Sequence, residues 1–226
     1  MFGFYLGMQI SNQNNNVNFT STPIHSVNLK KLTNGAEDGF VKAVFSKLDP
    51  NDINDSLAIH ELKATWDVPY NLMDEFSREF NLSIKSHEYN AIEMVGEAPL
   101  YKRIVGLICS NSYSRNNEII STGRVLITKP ELSKKSDARS VKGVGEMLLG
   151  KAFYQAKLAK SKEFKFDSSA TDFYEKTFAD AKIRIIKGVN FFQEGGNDRF
   201  VIGEKDFDKY INWCQQKYQT NFSAKI

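Results

Sequence analysis

The chain has 226 residues, of which 41% are hydrophobic and 25% charged, and its formal net charge is +3. This length suits one domain with a sizeable core, and so small a net charge does not indicate the clustered basic face of a nucleic-acid-binding protein. The cysteines Cys109 and Cys214 form no C-x-x-C pair, which argues against a disulfide framework or a structural zinc site and favours a reducing, cytoplasmic compartment.

The N-terminal segment carries no targeting signal that we recognise. Met1 to Met8 is apolar, but no basic region precedes it, so we expect no secretory signal and a start at either methionine. The Asn-rich stretch that follows predicts a flexible polar arm over residues 1–22. No run approaches the ~18 apolar residues that span a bilayer, so we expect no membrane partner.

The next segment is interpreted as mainly helical. A strand is expected between Ile24 and Leu32. Apolar residues at helical spacing then predict three helices, over residues 38–48, 53–66 and 72–80. Asp49-Pro50-Asn51-Asp52 is expected to end the first of these helices and to cap the second.

From residue 88 the apolar period changes to that of strands. Alternating or continuous apolar runs predict strands at 89–95, 103–110, 119–128, 163–167, 183–186 and 200–202. Helical spacing predicts helices at 146–159, 170–178 and 207–218, with Ser169 and Asp172 as a capping box for the second. Asn116-Asn117 predicts a tight turn within a three-stranded meander. This order predicts an α+β domain with a mixed, mostly antiparallel central sheet and helices on both faces.

One glycine-rich loop carries the chemical signal. Gly143 and Gly145 stand directly before an amphipathic helix, where the absence of side chains leaves backbone N–H groups open to an anion. Lys142 and Arg139 add positive charge. These features indicate a site that grips a pyrophosphate.

Other nucleotide loops fit less well. A P-loop requires a Ser or Thr after its lysine, and here Ala152 follows Lys151. A Rossmann fingerprint requires a third glycine where Leu148 stands. A glycine turn that only caps a helix remains an alternative.

Three segments together resemble the GNAT superfamily of N-acetyltransferases. Leu126-Ile-Thr-Lys-Pro130 resembles the family's L-x-V-x-P strand, Ser140-Val-Lys-Gly143-Val-Gly145 resembles [QR]-x-x-G-x-[GA], and Ala170-Thr-Asp-Phe-Tyr-Glu-Lys176 resembles A-x-x-[LF]-Y-x-K. Ser140 departs from the usual Gln or Arg, and Thr177-Phe-Ala179 replaces the usual Gly-Phe. The resemblance covers about residues 89–202.

This resemblance implies a single acyltransferase domain over residues 23–226. It would consist of a helical N-terminal part (38–82), a cofactor-binding core (89–202) and a C-terminal helix (204–218). Acetyl-CoA would lie between two splayed central strands, at 120–128 and 163–167, with no metal required.

The resemblance also implies residue roles. The pantetheine would pair with Leu126, Ile127 and Thr128. The pyrophosphate would bind to Val141, Lys142, Gly143, Val144, Gly145 and Glu146. The acceptor amine would attack the thioester directly, without an acyl-enzyme, and a backbone N–H near Leu126 would polarise the carbonyl.

Tyr174 is the predicted proton donor to the leaving thiolate, although a tyrosine at this helical spacing also fits a plain core position. Glu93 and Glu118 are candidates for the general base, which stays unassigned. His60 is a candidate for lining the acceptor cleft together with Trp66.

Several alternatives remain open at this point. The domain is either an N-acetyltransferase for a small or protein amine, an acyltransferase with a longer donor, or a degenerate domain acting as an interaction module. Basic stretches such as Lys157–Lys165 are interleaved with acids, so a solvated face is preferred to nucleic-acid binding. A homodimer is compatible with the sequence.

Overall fold

The computed structural model describes residues 21–96, 98–132, 140–168, 170–189 and 198–223. Nearly all of the predicted arm (1–22), together with Arg139 and Ser169, lies outside these ranges. The strands are β1 (Thr22–Thr33), β2 (Ala36–Leu48), β3 (His87–Met94), β4 (Ile104–Arg115), β5 (Glu118–Thr128), β6 (Val141–Lys142), β7 (Glu163–Ser168), β8 (Ile186–Val189) and β9 (Asp198–Gly203). The helices are α1 (Ile53–Thr65), α2 (Leu72–Asn81), α3 (Leu100–Arg103), α4 (Val144–Leu158), α5 (Thr171–Asp180) and α6 (Glu204–Tyr218).

The strands form one sheet in the order β6-β1-β2-β3-β4-β5-β7-β9-β8. Only β5 and β7 run parallel, and every other neighbouring pair is antiparallel. The predicted mixed, mostly antiparallel sheet is therefore confirmed, as is the α+β class.

Helices cover both faces of the sheet because the strands bury side chains on both faces. One core lies beneath α4, α5 and α6 and includes Phe45, Phe153 and Phe200. The other lies beneath α1, α2 and α3 and includes Phe76 and Leu107. The sheet is thus the middle layer of three, which positions its strand ends between the helices of the two outer layers.

The helix predicted over residues 38–48 is wrong, because this segment is β2. Phe40, Val41, Val44 and Phe45 fit a helical spacing, but the structure buries Ala43 and Phe45 on alternate positions and leaves Phe40 exposed. The strand conformation is stabilised by pairing with β1 on one side and β3 on the other. The N-terminal helical part therefore begins at Ile53.

The sequence of the turn between β1 and β2 is a local signal that these two strands form a hairpin. Asn34 and Gly35 both adopt positive φ, 51° and 79°. That is the conformation of a two-residue hairpin turn, for which Asn-Gly is the preferred sequence. The predicted turn at Asn116-Asn117 is confirmed in the same way, with φ of 51° and 65° between β4 and β5.

His25 of β1 is a buried imidazole in the core beneath α4. Its ring lies 4.9 Å from the Phe45 ring and 5.8 Å from the Phe222 ring. Neither ring nitrogen has a hydrogen-bond partner among the described residues. Burial, with a smaller effect from Lys151, lowers the pKa of His25 to about 4. The folded chain therefore holds this ring neutral where the unfolded chain protonates it.

We expect His25 to make stability fall as the pH drops. Between its unfolded pKa of about 6.5 and its folded pKa of about 4, the unfolded state binds the extra proton, so acid favours unfolding. His25→Phe keeps the ring contacts and removes the titration. Relative to this variant, the parent should lose up to about 3 kcal/mol of unfolding free energy between pH 7 and pH 4.

Urea unfolding of both proteins at pH 7, 6, 5 and 4 measures this difference. Asp55, whose pKa burial raises to about 6, acts in the opposite direction but is present in both proteins and cancels. A difference that does not change with pH would contradict the prediction.

Candidate active site

Two central strands part at one end of the sheet. The parallel pairing of β5 with β7 covers only Ile120 to Thr122 of β5 and Glu163 to Lys165 of β7. Beyond these residues β5 continues to Thr128 and β7 to Ser168, without pairing to each other. We call the space between residues 123–128 and 166–168 the opening. Its position confirms the predicted pair of splayed strands.

A β-bulge in β5 accounts for the opening. Cys109 pairs with Val125 and Ser110 pairs with Gly123, so Arg124 is an extra residue opposite β4. A bulge bends its strand and increases the local twist, which turns the end of β5 away from β7. Gly123 within an otherwise regular strand was a sequence signal for this bulge.

The bulged strand presents backbone groups to the opening that have no strand partner on that side among the described residues. The Lys129 N–H donates to the Val105 carbonyl of β4 at 3.0 Å. Because backbone groups alternate sides along an antiparallel ladder, those of Leu126 and Thr128 point away from β4 and into the opening. Ile127, which was predicted to pair with the pantetheine together with Leu126 and Thr128, directs its backbone groups to β4. Its side chain is buried in the core beneath α1, α2 and α3.

The start of α4 lies directly beside the end of β5. A Cβ atom built on Gly145 would lie 3.7 Å from Thr128 Cγ2 and 3.2 Å from Phe173 Cζ of α5. The three segments that carried the family resemblance therefore meet at the opening. The family resemblance implied this convergence.

The glycine loop, which we define as Val141–Glu146, contains the short strand β6 and the start of α4. Val141 and Lys142 form β6 and pair with β1. Gly143 is the N-cap of α4 with φ of 100°, and a Cβ there would overlap the Tyr218 ring. No side chain of the described residues caps α4, and the first intrahelical bond runs from the Met147 N–H to the Gly143 carbonyl at 2.9 Å.

The unpaired donors of the loop are thus the N–H groups of Val144, Gly145 and Glu146 in the first turn of α4. Together with the helix dipole they favour an anion at this end. Val144 and Gly145 are buried, whereas Lys142 and Glu146 are partly exposed. The Glu146 carboxylate accepts hydrogen bonds from Tyr218 Oη and, at 2.8 Å, from Lys217 Nζ.

Tyr174 lies in an aromatic cluster on the β7 side of the opening. Its ring centroid is 4.6 Å from that of Phe166 and 5.5 Å from that of Phe200. Burial raises the pKa of Tyr174 to about 12, while a hydrogen bond with the Ser168 side chain acts in the opposite direction. Ser168 is the last residue of β7, so the Tyr174 hydroxyl that bonds with it lies near the edge of the opening. Sequence reasoning did not single out Ser168.

The candidates for a general base lie elsewhere. Glu118 is exposed at the first residue of β5, ten positions from Thr128, which is roughly 33 Å along the strand. His60, which was a candidate for lining the acceptor cleft, is exposed on α1. Glu93 is buried on β3, where its carboxylate accepts from Ser21 and pairs with Arg103 Nη2 at 3.3 Å. None of the three is shown beside the opening.

A cysteine and a histidine do come together, but not as a nucleophile and base. Cys109 Sγ lies 3.9 Å from His87 Nδ1, and Glu79 Oε2 lies 3.3 Å from the same nitrogen. A catalytic relay needs the two ring nitrogens to serve different partners. Burial also raises the pKa of the Cys109 thiol to about 12. This cluster is consistent with a reaction that forms no acyl-enzyme.

Two further searches covered the described residues only. No cluster of three or more His, Cys, Asp or Glu side chains there could bind a metal ion. No helix in these ranges has the length and apolar character needed to cross a membrane.

Comparison with known proteins gives distant structural likenesses. No protein-family model matches the sequence, and no curated protein matches it closely enough to be called a relative. The chain is similar in structure to a Vibrio cholerae–human chimera of spermidine N-acetyltransferase, with TM-score 0.49 and 16% identity over 73% of this chain and 97% of that one.

Two other solved structures give comparable values. A chain of the NatC complex bound to Gag peptide and CoA has TM-score 0.48 and 12% identity, over 71% of this chain and 98% of that one. Arabidopsis thaliana NAA60 with a bisubstrate analogue has TM-score 0.47 and 9% identity, over 71% and 95%. At these values the likeness assigns no activity, and the function has to be argued from the site.

We predict that Gly106 of β4 is needed to seat α4. A Cβ there would overlap Val144 Cγ1 and lie 2.8 Å from Leu148 Cδ1, both buried. Gly106→Ala should therefore push the start of α4 off the sheet and lower the free energy of unfolding by about 1–3 kcal/mol, the usual cost of overpacking.

Urea denaturation measures this cost, with Gly96→Ala as the matched control because an added Cβ there meets nothing within 4 Å. Equal stability of the two variants would show that α4 does not depend on this close approach.

Proposed function

We propose that the chain is an N-acetyltransferase of the GNAT superfamily, which moves an acetyl group from acetyl-CoA to an amine acceptor. The observation that carries the proposal is the convergence of three features at one opening. These are the unpaired backbone of β5 at Leu126 and Thr128, the uncapped start of α4, and Tyr174.

The first two features suit the two chemical parts of CoA. The pantetheine arm carries amides, which can add to the free N–H and C=O groups of Leu126 and Thr128 as a further strand does. The pyrophosphate is an anion, which suits the N–H groups of Val144, Gly145 and Glu146 at the helix start. The unpaired stretch of β5 ends beside this helix start, so both parts of one ligand can be bound together.

The chemistry requires stabilisation of negative charge at two atoms. As the amine attacks, the thioester oxygen gains charge, and a backbone N–H of Leu126 or Thr128 is a preorganised donor for it. When the C–S bond breaks, the electron pair stays on sulfur, and the Tyr174 hydroxyl is the donor that can protonate it. The proton that the attacking amine loses passes to a base that stays unassigned, and Tyr174 regains its proton from solvent. With its pKa raised to about 12, Tyr174 remains protonated at neutral pH and is available as an acid.

We expect acetyl-CoA to stabilise the parent protein and not the Gly145→Asp variant. At about 100 times the dissociation constant, ligand binding adds roughly 2.7 kcal/mol to the unfolding free energy, which gives a clear rise in melting temperature. In the variant, a carboxylate would stand against the bound pyrophosphate, and its Cβ would crowd Phe173 at 3.2 Å.

Thermal melts with and without acetyl-CoA test this prediction. Gly188→Asp is the control for the added charge, because a Cβ at Gly188 meets nothing within 4 Å. If the parent shows no shift with millimolar acetyl-CoA or CoA, the enzyme proposal fails and a non-catalytic interaction module becomes the better reading. If Gly145→Asp keeps full affinity, the pyrophosphate binds elsewhere.

We expect Tyr174→Phe to slow turnover by about 100-fold with little change in KM. General acid catalysis contributes 10²–10⁴-fold, and a thiolate is already a fair leaving group, so the low end applies. The interaction strengthens mainly in the transition state, so substrate binding should be preserved. The phenyl ring keeps the contacts with Phe166 and Phe200.

The assay follows release of the CoA thiol with an amine selected from a panel of polyamines, aminoglycosides and peptide N-termini. Ser168→Ala is a companion variant that removes the hydrogen-bond partner and leaves the Tyr174 hydroxyl in place. Near-normal turnover of Tyr174→Phe with a lowered melting temperature would show that Tyr174 is a core residue.

A further inference from the structure

Two lysines face one carboxylate next to the glycine loop. Lys30 of β1 and Lys142 of β6 are directly opposite each other in the antiparallel pairing. Like charges in that arrangement repel. Glu37 of β2 lies between them: Lys30 Nζ is 2.6 Å from its Oε2, and Lys142 Nζ is 2.8 Å from its Oε1. Each carboxylate oxygen thus accepts a hydrogen bond from one lysine, and the negative charge offsets the repulsion between the two lysines.

This group of charges adjoins the start of α4. Lys142 immediately precedes Gly143, the N-cap of the helix. The Tyr218 ring covers Gly143. Burial, then the Glu146 carboxylate and to a smaller extent Glu37, raise the pKa of Tyr218. A carboxylate is here held by two lysines, one of which immediately precedes the N-cap of α4. Two lysine ammonium groups next to a helix start are surroundings that suit a phosphate group.

Of the two carboxylates near the loop, Glu37 is the one that a ligand can displace. The Glu37 side chain is 43% exposed, and exposed ion pairs contribute little to stability. The Glu146 side chain is 12% exposed and is held by Lys217 and Tyr218. A phosphate, with more charge and more acceptor oxygens than a carboxylate, competes well for two lysines.

Acid does not release Glu37 in the ordinary pH range. Hydrogen bonds from Lys142 and Lys30 lower the pKa of Glu37 to about 2, so it stays ionised above that pH. The lysines therefore become available only when another anion replaces the carboxylate.

We propose that Lys30 and Lys142 form a binding subsite for a phosphate group of the ligand, and that Glu37 fills this subsite in the free chain as an internal anion. The affinity for phosphate-bearing ligands is then set by competition with Glu37. This inference rests on the proposed function, since the ligand is CoA. The bound group is either the pyrophosphate or the 3′-phosphate, both of which offer negatively charged phosphate oxygens to the lysines.

The test is the affinity of Glu37→Gln for CoA, measured by isothermal titration calorimetry. Glutamine keeps the size of the side chain and removes the competing charge, so CoA should bind about tenfold more tightly than to the parent, a change of ~1.4 kcal/mol. Adding Lys30→Gln to this variant should remove most of the gain. The control is Asp208→Asn, which removes a comparably exposed carboxylate from its pair with Lys157 and should leave the affinity unchanged.

A second measurement needs no variant and so does not depend on the folding of Glu37→Gln. The carboxyl ¹³C resonance of Glu37 in the parent should shift when CoA is added, because the carboxylate leaves the two lysines. Repeating the titrations with dephospho-CoA identifies the bound group. If Glu37→Gln binds dephospho-CoA no more tightly than the parent does, the bound group is the 3′-phosphate. If the variant still binds more tightly, the bound group is the pyrophosphate.

The outcomes separate this inference from the proposed function. If the parent binds CoA but Glu37→Gln shows no gain, or the Glu37 resonance does not move, the subsite is overturned and the proposed function stands. If neither protein binds CoA, the proposed function fails and the inference fails with it.

Discussion

The opening exists because β5 carries one residue more than β4 can pair, at Arg124. The bulge ends the pairing with β7 after Thr122 and leaves the backbone groups of Leu126 and Thr128 without a strand partner on that side. Unpaired backbone groups in a partly buried place cost free energy. This cost falls at the opening, where a ligand with amide groups can offset it by pairing with these backbone groups. The bulge is thus the feature from which the candidate site follows.

The helix start that faces the opening is fixed by two close approaches. Gly106 lets Val144 and Leu148 pack directly on β4, and Gly143 lets the Tyr218 ring lie against the loop. Neither position has room for a methyl group, so the direction of the first turn of α4 is set by packing on both sides. Donors held in this way need little reorganisation when an anion binds, which is the condition for strong electrostatic stabilisation.

Much of this arrangement could be predicted from the sequence, because the meander, the glycine loop and α6 have local patterns of their own. The helix predicted over 38–48 was wrong because Val41, Ala43 and Phe45 also fit the two-residue period of a strand, and β3, one of the two strands that pair with this segment, is remote in sequence. Asn34-Gly35 is a local hairpin signal that the helix prediction did not use. The pair of Glu37 with Lys142 could not be predicted, since these residues are 105 positions apart and meet only through the β1–β6 pairing.

The burial that positions Tyr174 also determines how it can act in the proposed reaction. The surrounding rings raise its pKa to about 12, so the hydroxyl is always protonated near neutral pH but is a weak acid. Such an acid gives up its proton only late, when the departing sulfur has gained most of its charge. Before that point it contributes as a neutral hydrogen-bond donor, as do the N–H groups of Leu126 and Thr128. The opening then stabilises developing charge with neutral, fixed donors. In the proposed subsite, Lys30 and Lys142 serve the phosphate end of the ligand, and their ion pairs with Glu37 set how available they are.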